Sequence, residues 1–514
     1  MSSDEGEDIE EVLAEPDVVL GGPHGRTEIL LFRPPPSIEA VPRAFSGGRA
    51  DQYELTYKMA RMECRLVRAV LEANGFRPTT SNDFNLLWTG QAIKPAVLQQ
   101  FNPYQKVNRF PQMHEITRKD KLCRNLGRMR EIHGARHFDF IPATYVLPAE
   151  YDLLIADHNR SKEAVWIAKP CASSCGRGIS IAAHLHHMPI DEPCVVSRYL
   201  TNPLLVDGFK FDIRLYVAIT SYEPLKLHLY EEGLVRFATE KYHNSRYCLS
   251  NHFMHLTNYS VNKRSANFVE NQDAAADDYG NKWSLTALKR FLAKRGVPVD
   301  LVFRRIEDMI TKTAISIEPQ VIANLKAAMP HRHNCFQLLG FDVLIDDTLK
   351  PWLLEVNLGP SLAADAPLDW KVKSSMLSDL LSLCAFQPYD KRGLREMRRR
   401  SAAAARDRLS RGMPAFSKQS DRAMLAAAGA VAPESPGGRR APAPAPGALA
   451  EEQGYAPEVR RWLREVDEAD ARAGGWRRLF PNATSHAYLG FFDTDRPANI
   501  ALTDAFLRRH LAAR

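Results

Sequence analysis

The stretch from Cys335 to Leu358, CFQLLGFDVLIDDTLKPWLLEVNL, constrains the fold more than any other part of the chain. Apolar residues fill both arms, and Asp346-Asp347-Thr348 supplies turn chemistry between them, which predicts two buried strands joined by a short turn. Asp342 interrupts the first arm, and Glu355 and Asn357 interrupt the second. A charge inside such a strand is costly unless it is paired or holds a metal. Glu355 and Asn357 stand two apart, so on a strand they share a face. Pairing of the arms about the turn brings Asp342 close enough to complete a cluster of oxygens. Three hard oxygen donors, with water and phosphate filling the remaining places, suit Mg²⁺. Three unrelated polar residues on a partly exposed hairpin are the competing reading.

At 514 residues the chain has room for several domains with substantial cores. Its 45% hydrophobic and 25% charged content is that of an ordinary soluble globular protein. The net charge of +7 matters only because the positive excess is concentrated near the C-terminal side. Eight cysteines are scattered without a CxxC framework, and no second cysteine or histidine pair stands beside Cys171 and Cys175 at zinc-site spacing. Reduced thiols in a cytosolic protein are expected. The acidic opening MSSDEGEDIEEVLAEPD has no apolar h-region and is not read as a signal peptide. No run approaches the roughly 18 apolar residues of a membrane span. A soluble, intracellular protein with no membrane partner is the expectation.

In chain order, residues 1–50 read as a loose acidic leader. Leu55, Met59, Met62, Leu66 and Val70 keep helical spacing, with Gly75 where a C-terminal cap belongs. FNLLWTG reads as a strand, and a second helix is expected near Lys119, giving a small α/β domain over 51–125. A central domain over 126–200 and a larger one over 201–385 follow. The runs AVWIAKP, GISIA, CVVSRY, FDIRLYVAIT and LKLHLY are separated by breakers as antiparallel strands would be. Helices are expected over 285–295 and 302–328, with Ile306, Ile310, Thr313 and Ile317 on the buried side. The fold class is therefore α/β (α+β). Residues 386–424 read as a basic helical segment, 425–450 as a flexible linker, and 451–514 as a charged helical tail.

Lys169 ends a strand, and the loop SSCGRGIS follows with Gly176 and Gly178 flanking Arg177. Such glycines let a backbone approach phosphates, although a lone GxG is also an ordinary turn. VSRYL (196–200) could supply backbone groups to an adenine edge. In FKFDIRLY, Lys210, Asp212 and Arg214 alternate with Phe211, Ile213 and Leu215, so the charged trio shares one face. A salt-bridged exposed edge has that pattern, and so has a phosphate cleft. Arg236, the cluster His255–Ser260 (HLTNYS) and Lys282 lie further along. His255 alone reads as a satisfied structural histidine.

Taken together, WIAKP, SSCGRGIS, VSRYL, FKFDIRLYV, MHLTNYSVNK, YGNKWS, GFDVLID and PWLLEVNLGPSL resemble, in order, the tubulin-tyrosine-ligase-like family of ATP-grasp ligases over most of 55–385. RKDKL, LPAEYD and GGWRRLFP are most similar to its tubulin glutamylases. The resemblance implies an ATP-grasp body and a reaction in which ATP phosphorylates an acceptor glutamate carboxylate. The α-amine of free L-glutamate then displaces phosphate to form an isopeptide branch. It implies ATP contacts from Lys169, Cys175, Gly176, Ser197, Arg198, Tyr199, Leu200, Lys210, Phe211, Asp212, Thr257 and Asn258. It implies Mg²⁺ on Asp342, Glu355 and Asn357, with Lys210, Asp212, Arg214 and Glu355 at the transferring phosphoryl. Arg236, Tyr259, Ser260, Lys282 and Lys373 match positions used for the incoming glutamate.

One departure is chemical. Relatives carry arginine in the glycine loop where this chain has Cys175, so a cation near the acceptor is missing and initiation of branches is in question. By resemblance, the basic stretch Lys391–Arg411 matches the family's microtubule-binding element, whose cations would attract acidic tubulin tails. Cytoplasm and cytoskeleton, with cilium and basal body, are the implied locations, and a monomer is expected. A glycylase of the same fold and an inactive microtubule-binding protein are the rival readings. Arg236, Lys282 and Lys373 disfavour the first, and the oxygen trio the second. No base-reading module accompanies the arginine-rich tail, so nucleic acid is not the expected partner.

Overall fold

The computed structural model describes residues 17–21, 27–37, 54–171, 176–189, 192–273, 275–388, 391, 396, 399–400, 403, 439–440 and 454–512. Strand β1 (Asp17–Gly21) pairs antiparallel with β2 (Thr27–Leu31). Ile29, Leu30 and Phe32 are buried, and the Phe32 amide donates to Ser382 Oγ at 2.8 Å. This part of the expected leader is thus docked, because the run TEILLF carries apolar surface that Phe386 covers, ring to ring at 5.5 Å.

Strands β3 (Thr56–Ala60), β4 (Arg77–Pro78), β5 (Leu86–Thr89) and β6 (Lys106–Val107) form a parallel sheet in the order β4-β3-β5-β6. The helix expected from Leu55 starts only at Arg65 and ends at Ala73, with Gly75 at φ 80° beyond it. Residues 56–60 are instead a strand, in which Tyr57 is buried between two neighbours. Sheet pairing overrides a helical spacing that five residues cannot enforce. The Lys119–His133 helix forms as expected and runs past the 125 boundary.

The central unit is an antiparallel sheet of β7 (Thr144–Leu147), β8 (Trp166–Pro170), β9 (Ser180–Ala182) and β10 (Cys194–Arg198), in the order β7-β10-β8-β9. The large sheet follows, made of β11 (Leu205–Val206), β12 (Phe209–Tyr222), β13 (Leu225–Lys241), β14 (Lys282–Ser284), β15 (Gln337–Ile345) and β16 (Pro351–Asn357). Its order is β14-β13-β12-β15-β16, with β11 beside β12 and a further strand, Trp476–Phe480, beside β13. β12 explains where the cleft lies. Phe211, Ile213, Leu215, Val217 and Ile219 enter the main core, under the Val299–Ile315 helix. Tyr216 and Ala218 face a second core with the Pro367–Leu383 helix. On that second face, the first half of the strand presents Lys210, Asp212 and Arg214 instead. Ile306, Ile310, Thr313 and Ile317 are all buried. The helical stretch breaks into Val299–Ile315 and Glu318–Ala328, since Pro319 is tolerated only in a first turn.

Residues 454–512 correct the expectation of a helical tail. The helix Pro457–Ala471 ends, Trp476–Phe480 joins the large sheet, and the helix Pro497–Ala512 closes the unit. Trp476 and Phe480 are buried, because WRRLF places its apolar ends inward. Most of the basic segment 386–424 and of the linker 425–450 lies outside the described residues. Lys391 itself is buried and donates to the carbonyls of Glu54 and Asp83 and to Thr56 Oγ1, so it does not join a free cationic surface. Among the described residues no helix is long and apolar enough to cross a membrane.

Candidate active site

A cleft opens between the β7–β10 sheet and the charged half of β12. Lys169, Gly176, Ser197, Arg198, Tyr199, Leu200, Lys210, Asp212, Thr257 and Asn258 line it, together with Asp342 and Glu355. Phe211 does not. Its side chain occupies the opposite face of β12, buried with its ring 5.8 Å from Phe237. Cys175 lies outside the described residues. Gly176 adopts φ 73°, and a Cβ there would meet Val261 at 2.9 Å and Asn258 Oδ1 at 3.2 Å, so glycine is required for the loop to close over HLTNYS.

Lys210 is buried, and among the described residues no carboxylate is hydrogen-bonded to its ammonium. It donates to Tyr199 OH at 2.8 Å and to the His255 carbonyl at 3.0 Å. His255 Nε2 stands 3.0 Å from the Cys248 carbonyl and can only donate to it, so Nδ1 accepts from Tyr199 OH at 2.9 Å. Burial, then the Lys210 charge, holds the His255 imidazole down at about 4, hence neutral, which is the structural role expected of it. Burial, helped by neighbouring Lys169, pulls the Lys210 ammonium down to about 7. Lys169 is lowered as well, again chiefly by burial.

Behind these cations lies an alternating network on three adjacent strands. Arg214 grips Asp342 with Nε–Oδ1 2.5 Å and Nη2–Oδ2 3.0 Å. Arg236 donates to Asp212 Oδ1 at 2.8 Å and to Asp342 Oδ2 at 2.8 Å. Burial raises the Asp342 carboxyl, but Arg214 and Arg236 outweigh it and hold it well below the usual carboxylate range. Asp212 is raised, because burial exceeds what Arg236 returns. Asp342 and Glu355 face each other in register across β15 and β16. Glu355 also meets Lys119 Nζ at 3.1 Å, and Asn357 Nδ2 lies 3.3 Å from Glu355 Oε1. The hairpin therefore gathers two carboxylates and an amide. Among the described residues no three Asp, Glu, His or Cys side chains stand together as a metal site.

Of the residues matched to the incoming amino acid, Lys282, Lys373 and Tyr259 gather around Asp369, which the sequence reading missed, while the Arg236 guanidinium stays on Asp212 and Asp342. Lys282 and Lys373 both bind the Asp369 carboxylate, Lys373 at 2.6 Å. Tyr259 places its ring 4.7 Å from Lys282 Nζ, and Arg236 pairs with Lys282 in register between β13 and β14. Ser260 follows Tyr259 in the short Tyr259–Asn262 helix. Burial raises Asp369, but Lys373 and Lys282 bring it below its usual range. Asp369 and Lys373 are four apart on one helix, a spacing the sequence does display. Lys119, the second omission, left no local signal of its partner Glu355.

The tubulin-tyrosine ligase family model matches residues 97–393. Tubulin polyglutamylase TTLL5 of Mus musculus is 41% identical over 502 residues, covering 96% of this chain and 36% of the relative. Tubulin monoglutamylase TTLL4 of Homo sapiens is 36% identical over 469 residues, covering 87% and 37%. Tubulin polyglutamylase TTLL6 of Mus musculus is 41% identical over 338 residues, covering 65% and 40%. The chain thus spans little more than a third of the length of these relatives. With the family model matching more than half of the sequence, and with its cleft and hairpin inside the matched region, the chain belongs to the tubulin-tyrosine ligase family.

Proposed function

We propose that this chain is an ATP- and Mg²⁺-dependent protein-glutamate ligase that builds isopeptide-linked glutamate branches on the acidic tails of tubulin. The observation that carries this reading is the convergence of half-buried Lys169 and buried Lys210 with Asp342 and Glu355 on one cleft. Ammonium groups withdrawn from water, with no carboxylate hydrogen-bonded to Lys210 among the described residues, favour a bound anion, and polyphosphate is the anion whose transfer needs carboxylates beside cations. Asp342, Glu355 and Asn357 are hard oxygen donors on one hairpin and fit a hexacoordinate divalent ion completed by water and phosphate. Bound there, Mg²⁺ supplies charge neutralisation and alignment of the terminal phosphates.

The rest follows from this chain's own groups. Lys169 and Lys210 offset the polyphosphate, and VSRYL offers backbone donors and acceptors to the base. An acceptor carboxylate oxygen attacks the γ-phosphorus as the bond to ADP breaks. The free glutamate amine, deprotonated to solvent, attacks the resulting acyl carbon, the carbon–oxygen bond to phosphate breaks, and an amide forms. Arg236, Lys282 and Lys373 hold the carboxylates of the incoming amino acid, releasing Asp212, Asp342 and Asp369 in exchange. Positioning and electrostatics do the catalysis, with no protein nucleophile. The basic residues that follow the buried Lys391, as far as Arg411, meet the acidic tails in a salt-sensitive encounter, in a monomer acting at the cytoskeleton.

The test is incubation with ATP, Mg²⁺, microtubules and labelled glutamate or glycine. Glutamate incorporation with stoichiometric ADP release is expected, and glycine incorporation alone would refute the assignment.

A further inference from the structure

A second groove lies outside the cleft, between the start of the Arg65–Ala73 helix and the loop 359–365 that follows the β15–β16 hairpin. Arg109 and Trp88 line it, and both carry buried donors with no acceptor, Arg109 Nε and Trp88 Nε1. Arg109 is only 7% exposed. Its Nη1 donates to the carbonyls of Asn108 and Leu358 at 3.0 and 3.2 Å, and among the described residues it meets no carboxylate. Burial alone pulls this guanidinium down to about 10. Of the acids near the rim, Glu63 is paired with Arg68 and Asp365 is exposed, so neither compensates the buried charge. A buried cation without a counterion is the costly arrangement that a bound anion relieves.

The groove adjoins the reaction machinery. The Leu358 carbonyl that Arg109 holds directly follows Asn357. A Cβ on Gly340 would strike Pro360 of the groove wall at 2.8 Å and the Arg214 side chain at 3.3 Å, so wall and ion network are one glycine apart. Lys373 donates to the Ala363 carbonyl of the same loop, which joins the groove wall to the Asp369 cluster, although Asp369, Lys282 and Lys373 do not line the groove. Gly359 leaves the guanidinium approachable, since a side chain there would stand 3.4 Å from Nη2.

We propose that this groove is a subsite for a carboxylate side chain of the acidic acceptor peptide, held by Arg109, beside the residue being modified and distinct from the free-glutamate cluster. The inference rests on the ligase reading above. An open trough along a loop suits an extended chain, and a planar guanidinium suits a carboxylate.

The test compares two synthetic peptides, one with glutamates flanking a single acceptor glutamate and one with those flanks changed to glutamine. Arg109→Gln is expected to raise KM for the glutamate-flanked peptide about tenfold, as loss of one charge-assisted contact does. It leaves kcat, the KM of free glutamate and the glutamine-flanked peptide unchanged. Equal effects on both peptides, or a shift confined to free glutamate, would overturn the proposal. Ser361→Glu, at an exposed position on the groove, guards against misfolding of the first variant. It should repel the glutamate-flanked peptide selectively, and equal KM values for the two peptides would be fatal. Should wild-type protein incorporate no glutamate at all, the ligase reading fails, and the subsite is judged separately by fluorescence anisotropy. Tighter binding of the glutamate-flanked peptide to wild type than to Arg109→Gln supports it, and identical binding removes it.

Discussion

Lys210 is the residue whose chemistry is most altered by its surroundings. A lysine at about 7 is half neutral at physiological pH, and polyphosphate in the cleft would restore its proton. Between the free and bound values, ATP binding therefore takes up a proton, and affinity falls as pH rises from 7 towards 9. Calorimetry in buffers of different ionisation enthalpy should show this uptake, and Lys210→Arg should abolish it because guanidinium stays charged. The same shift makes the native state hold fewer protons than the unfolded chain above about 7, so its contribution to stability increases with pH there. Glu355→Gln tests the hairpin. Ligation should fall by at least about a hundredfold while microtubule co-sedimentation persists, since the position sits within the cleft and far in sequence from the basic segment. Much of this site was legible in the sequence because strand periodicity is strict. Two residues apart means one face, which placed Asp212 with Lys210 and Arg214, and Glu355 with Asn357. Lys119 and Asp369 were not legible as site residues, because their partners come from other elements and no local pattern encodes a long-range ion pair.

Among the elements, Trp476–Phe480 shows how a charged sequence conceals a strand. The pair Gly474-Gly475 separates it from the preceding helix, and both glycines answer to Asp379. Gly474 has φ 56°, and a Cβ there would clash with the Asp379 carboxylate, while the Gly475 amide donates to Asp379 Oδ2 at 2.9 Å. That carboxylate also accepts from Tyr230 OH at 3.2 Å, so it ties the turn to β13. Read locally, EVRRWLREVDEADARAGGWRRLFP has enough charge to suggest one solvated helix. The burial of Trp476 and Phe480 depends on an open edge of β13, supplied some 250 residues earlier. In the N-terminal sheet, Thr56–Ala60 keeps an apolar spacing that also suits a helix, and only its pairing with Arg77–Pro78 and Leu86–Thr89 selects the strand. Phe480→Ala should cost about 3–5 kcal/mol, as large-to-small changes in filled cores do. Gly474→Ala should also destabilise through both its φ and its clash. Thermal melts of the two variants, with intact far-UV spectra below the transition, would check each.

At the scale of the whole molecule, the terminal unit 454–512 binds to the preceding sheets and helices through charges that would be expensive to expose singly. Arg496 clasps Glu318 bidentately, Nε–Oε1 2.6 Å and Nη2–Oε2 2.9 Å, with the Glu318 side chain entirely buried at the head of its helix. Glu465 meets both Lys226, at 3.2 Å, and Arg332. Asn499 Oδ1 accepts from the Leu225 amide at 2.8 Å, at the turn into β13. These links reach β13, which also carries Arg236 of the ion network, the Glu318–Ala328 helix and the loop before β15. A tail tethered only by its linker would leave the body unchanged when cut away, whereas a unit that fills a sheet edge cannot be removed without loss. Arg496→Ala isolates the question in one side chain. Breaking a buried pair by removing one partner costs about 3–5 kcal/mol. The double variant Arg496→Met with Glu318→Gln should recover part of that loss, since it leaves no unpaired charge. Ending the chain before residue 454 should lower the melting temperature further and make the edge of β13 susceptible to limited proteolysis. An unchanged melt for both the Arg496 variant and the truncation would show that the terminal unit folds independently of the body it touches.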